Sequence, residues 1–176
     1  MKATGIIRRI DDLGRIVIPK EIRKNLRIKE GDNLEIFVVN EENIIKKYSI
    51  KNKINDLAQE LTDAIYTFMK HSIFITDTDI VVAGSGPLKK KYINKNVSNF
   101  ITDSIKRREK ITENHFKDLN FIEDEIIPCS YVMCTILVNG EAAGMIVIIN
   151  EDEKLGETEM QMAGIVSSFM TKYLEQ

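Results

Sequence analysis

The chain has 176 residues, 43% of them hydrophobic and 30% charged, which places it among ordinary globular proteins and outside the disordered and collagen-like ranges. Its formal net charge of -2 hides a split: residues 1–53 carry 13 Lys/Arg against 8 Asp/Glu, and residues 54–176 carry 12 against 19. A basic head on an acidic body points to a polyanion-binding module joined to a second domain, and no apolar run reaches the roughly 18 residues that a membrane span needs, so no membrane partner is expected.

Residues 5–10 (Gly-Ile-Ile-Arg-Arg-Ile) read as a strand. Asp11-Asp12-Leu13-Gly14 reads as a turn, with Gly14 free to take positive φ, and Arg15-Ile16-Val17-Ile18 as a second strand. Pro19 suits the first position of a helix running to about Leu26, because its missing N–H needs no partner there. Gly31-Asp32 turns the chain into a hairpin of residues 33–39 and 43–48 around Asn40-Glu41-Glu42. A β-β-α-β-β unit under fifty residues long buries too little surface to stand alone, and it has no metal-type cluster or disulfide-spaced cysteines. Oligomerisation is then the expected support.

The polar, Lys-rich stretch from Ser49 to Asn55 reads as a linker, giving a head of 1–50, a linker of 51–55 and a body of 56–176. In the body, apolar residues at three- and four-residue steps predict a helix from about Ile54 to His71. Residues 73–83 predict a hairpin turning at 77–79 and broken by Gly84-Ser85-Gly86-Pro87. A helix over about 96–108, with Val97, Phe100, Ile101 and Ile105 inward, precedes a short strand at Ile111-Thr112, while residues 118–124 carry no clear pattern. Tyr131–Val138 and Gly144–Ile149 flank Asn139-Gly140, a strong hairpin signal. A last helix over about Glu157–Leu174 carries Met162, Val166, Phe169 and Tyr173. The order predicts an α+β body with a mostly antiparallel sheet flanked by helices. The two apolar helices flank one sheet, and their heptad-like spacing suits association between subunits.

The head's cations are the candidate site: Arg8, Arg9, Arg15, Lys20, Arg23 and Lys24. Arginine suits guanine edges and phosphate pairs. Arg8 and Arg9 alternate faces on a regular strand, so only one of them can point at DNA, and Arg8 is preferred. Asp11, Asp12, Glu21 and Glu35 fit turn capping, dimer salt bridges and repulsion of wrong DNA registers better than a catalytic pair. His71 and His115 stand far apart with no clustered partners, Cys129 lacks a nearby base, and the Gly-Ser-Gly-Pro run with Lys89-Lys90-Lys91 lacks Walker spacing. No enzyme activity, metal or cofactor is expected. Cys129 and Cys134 read as structural thiols of a reducing cytoplasm, and the N-terminus has no signal-peptide core.

The stretches Lys2–Arg15, Ile18-Pro19-Lys20-Glu21-Ile22-Arg23 and Gly31–Phe37 closely resemble the swapped-hairpin DNA-binding domain of the AbrB family of bacterial regulators. The match is closer still to the sporulation regulators in which such a head precedes a GAF-type body. The resemblance implies a dimeric barrel completed by hairpins exchanged between two chains, with Arg8, Arg15 and Arg23 facing double-stranded DNA and Arg9, Lys20 and Lys24 as additions. Relatives often have Arg at the position of Lys24, where Lys keeps the charge without the bidentate fork. The resemblance further implies a sequence-specific transcription regulator that activates and represses genes in spore development. Its body would hold head dimers in a homotetramer, bind an unidentified small-molecule effector, or both. The alternative reading is a toxin-neutralising antitoxin with an AbrB/MazE-like head. Such proteins usually end in a disordered acidic tail, whereas this tail is long, apolar and periodic.

Overall fold

A computed structural model describes residues 7–39, 42–47 and 51–175. The chain divides into two compact units, Met1–Tyr48 and Ser49–Gln176.

The head holds one short helix, α1 (Lys20–Asn25), and a hairpin of β1 (Leu34–Val39) and β2 (Glu42–Lys47), paired antiparallel from Leu34↔Lys47 to Val39↔Glu42. Pro19 precedes α1, and its carbonyl accepts from the N–H of Arg23 at 3.0 Å. The helix ends in a Schellman motif: the N–H of Ile28 donates to Arg23 O at 2.8 Å, that of Arg27 donates to Lys24 O at 3.2 Å, and Arg27 takes the left-handed position at φ 53. Gly31, at φ 83, supplies the positive φ of the turn that brings the N–H of Asp32 to Lys29 O.

The strands expected over 5–10 and 15–18 do not form among the described residues; 7–10 and 15–18 are irregular, and 5 and 6 lie outside the described part. A strand needs a ladder partner for its backbone groups. Among the described residues, the main chain between 7 and 18 closes only the local turn from Asp11 to Arg15. Many apolar side chains of the head stand in the open: Ile7 is 89% exposed, Val17 74% and Val38 74%.

The body begins with α2 (Lys51–Met69), which starts at Lys51 and takes the expected linker 51–55 into the helix. No Gly or Pro interrupts the sequence there, so nothing breaks the helical run. There follow β3 (Ser72–Thr76), β4 (Val81–Ser85), α3 (Lys89–Tyr92), α4 (Asn99–Lys106), β5 (Lys110–Leu119), β6 (Ile127–Val138), β7 (Glu141–Asn150) and α5 (Glu157–Leu174). The five strands form one antiparallel sheet in the order β4-β3-β7-β6-β5. The α+β expectation holds, and the central hairpin turns at Asn139 (φ 50) and Gly140 (φ 78), the paired positive φ values of a tight hairpin turn.

Alternation along the strands gives the sheet two buried faces. Phe74, Met133, Met145, Val147 and Ile149 join Ile101 and Ile105 of α4 in one cluster. At its centre Phe74, Tyr92 and Phe121 meet with ring centroids 5.2–5.6 Å apart. Ile73, Ile75, Ile146 and Ile148 face the opposite way, where α2 packs on β3 and β4, and α5 on β6 and β7. The inward seam of α5 is Ala163, Val166, Ser167, Met170 and Leu174. Phe169 and Tyr173 instead point outward, stacked at 6.5 Å, with Ile165 also exposed.

Candidate nucleic-acid interface

All six candidate cations, Arg8, Arg9, Arg15, Lys20, Arg23 and Lys24, are exposed. Lys20, Arg23 and Lys24 lie at i, i+3 and i+4 on α1 and so share one helix face. Helical geometry thus makes a basic patch from a sequence whose cations are interleaved with Glu21 and Ile22. Arg8 and Arg9 are both exposed on the irregular stretch, without the ladder that would assign them opposite faces.

Arg15 is held more definitely. Asp11 Oδ1 accepts the N–H of Leu13 at 3.1 Å and the N–H of Arg15 at 2.7 Å, and its Oδ2 accepts Arg15 Nε–H at 2.7 Å. The backbone closes the same loop, with the N–H of Gly14 donating to Asp11 O at 2.9 Å and that of Asp11 to Arg15 O at 3.1 Å. The backbone N–H of Arg15, and then its guanidinium, hold the Asp11 carboxyl below the usual carboxylate range. The sequence marked Asp11 as a turn cap; its second oxygen, on the guanidinium, has no signature beyond the four-residue spacing.

The body's chemistry-bearing side chains are engaged elsewhere. His71 is largely buried: its Nδ1 lies 2.6 Å from Asn150 Nδ2, and its Nε2 lies 3.8 Å from Glu159 Oε1. Asn150 Oδ1 already accepts the N–H groups of Asp152 and Glu153, which turns the amide nitrogen toward the imidazole. His115 is exposed beside Glu113. Burial pushes the Cys129 thiol up to about 12, which leaves it protonated and a poor nucleophile, and Cys134 is buried and raised as well. Lys89 pairs with Asp63 at 3.7 Å and Lys91 with Glu125, so the lysine run after Gly-Ser-Gly-Pro is partly neutralised by the body's own acids. A groove of about 610 Å³ beside α4 is lined by Ser98, Asn99, Asn120, Glu123, Asp124 and Ile126, an acidic surface unsuited to a polyanion. Among the described residues no group of three or more His, Cys, Asp or Glu is placed to hold a metal ion, and no helix is long and apolar enough to cross a membrane.

Comparison with known proteins divides the chain in the same way. Residues 53–175 match the family described as stage V sporulation protein T C-terminal, transcription factor, and residues 7–52 match the family described as antidote-toxin recognition MazE, bacterial antitoxin. Stage V sporulation protein T of Bacillus subtilis (strain 168) is 44% identical over 179 residues, covering 100% of both chains. Transition state regulatory protein AbrB of the same organism is 58% identical over 48 residues, which are 27% of this chain and 50% of that protein. The body has the fold of the GAF domain from an Acinetobacter phosphoenolpyruvate-protein phosphotransferase, with a TM-score of 0.56 at 12% identity over 70% of this chain and 85% of that one.

Proposed function

The chain belongs to the stage V sporulation protein T family, and from that membership we propose that it is a sequence-specific DNA-binding transcription regulator that activates and represses genes during spore development. The observation that carries this reading is the head itself: six exposed cations stand on a unit many of whose apolar side chains, Ile7, Val17 and Val38 among them, are exposed as well. The cations supply attraction to phosphate and donors for base edges. The uncovered apolar set, from Ile7 to Val39, supplies the reason to pair with a second head, which would give residues 7–18 their missing ladder. On this reading the functional DNA surface is composite, with Arg8, Arg15 and Arg23 as principal contacts and Arg9, Lys20 and Lys24 supporting them from each protomer.

The body's contribution is assembly. Phe68 of α2 and Ile165, Phe169 and Tyr173 of α5 are exposed on helices whose other sides are already packed on the sheet, a second apolar face beyond what the fold needs. Pairing of these faces would join two head dimers in a homotetramer and raise the local concentration of a second head pair once the first has bound. This assembly role has better support than effector sensing, because the sheet face toward α4 is filled by Phe74, Tyr92 and Phe121. Catalysis has no comparable support, since the buried thiols and separated histidines converge on no common point. The regulator would act in the cytoplasm, beside the chromosome. An antitoxin role fits the head alone, since residues 53–175 fold as a domain and match a transcription-factor family.

Fluorescence anisotropy of the full-length protein on a labelled duplex, repeated over a range of salt, tests the DNA reading. About eight phosphate contacts from a head dimer give a log–log slope of affinity against salt of roughly -7. A flat salt dependence, or no binding at low salt, would overturn it.

A further inference from the structure

Asp11 uses its two carboxylate oxygens for different tasks on one loop. Oδ1 accepts two backbone N–H groups, of Leu13 and Arg15, and so builds the turn. Oδ2 takes only the Nε–H of Arg15, at 2.7 Å, and so fixes the plane of the guanidinium. The Arg15 side chain nonetheless stays 71% exposed. With Nε–H directed at Asp11, the edge presented outward is the pair of Nη groups, the fork that matches the O6/N7 edge of guanine. An unrestrained arginine would spread the same charge over many rotamers and give up their entropy on docking.

A carboxylate on a surface that meets phosphates weakens attraction to every DNA sequence alike. Asp11 therefore opposes the general affinity of the head, and its compensating contribution lies in orientation. We infer that Asp11 is a positioning residue that sets sequence discrimination by presenting the Nη pair of Arg15 to a base edge. The inference rests on the reading that Arg15 contacts DNA.

Asp11→Asn separates the two oxygens. Its amide oxygen still accepts the N–H groups of Leu13 and Arg15, so the turn is kept, while its NH2 puts a donor against the Nε–H donor of Arg15. The probe is a duplex pool enriched on the wild-type protein from a randomised library, measured against the unselected pool at fixed salt with full-length chains. The affinity ratio between the pools should fall about tenfold or more in Asp11→Asn, the loss of one oriented bidentate contact. Binding to the unselected pool should stay equal or tighten, because a negative charge is gone. In an Arg15→Ala background the same substitution should leave the ratio unchanged. Equal weakening of both pools by Asp11→Asn, with the ratio kept, overturns the inference. So does an Asp11→Asn chain that keeps the full ratio while Arg15→Ala loses binding. Wild-type binding by Arg15→Ala overturns instead the underlying reading of Arg15. Should the Asn chain fail to fold, Asp11→Ser keeps one hydroxyl acceptor for the turn and none for Nε; the same loss of ratio is expected, and an intact ratio overturns the inference.

Discussion

Arg108 ends α4 in the left-handed region at φ 57, where its N–H donates to Ile105 O at 2.9 Å while the N–H of Glu109 donates to Ser104 O at 3.1 Å. This is the Schellman ending that α1 also uses, and at such a position a Cβ is a steric liability. Arg108 is exposed. Arg108→Gly should therefore raise stability by about 0.5–1 kcal/mol, the relief at the left-handed position less the extra entropy of glycine in the unfolded chain. A urea midpoint that moves up at constant slope would show it; an unchanged or lower midpoint would contradict it. The same scale governs the interface. Asp11 and Arg15 are joined by three hydrogen bonds, two to the carboxylate and one between backbones, whereas Arg8 and Arg9 have only their exposure in common. The sequence located the candidate cations and the turn, but the division of labour between the two oxygens of Asp11 depends on where Arg15 folds back, which spacing alone leaves open.

At the scale of elements, α5 shows what was legible and what was not. Its bounds, Glu157–Leu174, follow the periodic run, and the acid pair Glu157 and Glu159 sits in its first turn, with Glu159 Oε2 accepting the N–H of Gly156 at 2.7 Å. Its phase was not legible, because Ala163–Ser167–Met170–Leu174 and Ile165–Phe169–Tyr173 are both apolar or small, and a helix with two such faces has no single hydrophobic direction. β5 extends to ten residues where Ile111-Thr112 alone looked like a strand, because the register shift between Glu113 and Lys117 breaks the alternation. The three lysines of α3 hid that short helix, and the strands expected over 5–10 and 15–18 have no ladder among the described residues of one chain. The outward face of α5 yields a prediction: Ile165→Glu should change the assembly from four chains to two in size exclusion with light scattering, with circular dichroism unchanged. A variant that still elutes as the wild-type oligomer would remove α5 from the interface.

For the molecule as a whole, charge separates the two tasks. The head carries the surplus of Lys/Arg and the body the surplus of Asp/Glu, so DNA is drawn to one unit and repelled by the other. The body's Lys89 and Lys91 are held by its own carboxylates, which leaves the head to supply the attraction. Assembly through the body would then multiply head pairs without adding a competing DNA surface. The most direct test is anisotropy on one labelled duplex at physiological salt, comparing the full-length wild type with two variants of equal charge change and matched circular dichroism: Arg8→Gln, Arg15→Gln, Arg23→Gln in the head, and Lys89→Gln, Lys90→Gln, Lys91→Gln in the body. The head variant should lose most of its affinity and the body variant almost none. Wild-type binding by the head variant, or loss of binding by the body variant alone, would contradict the account.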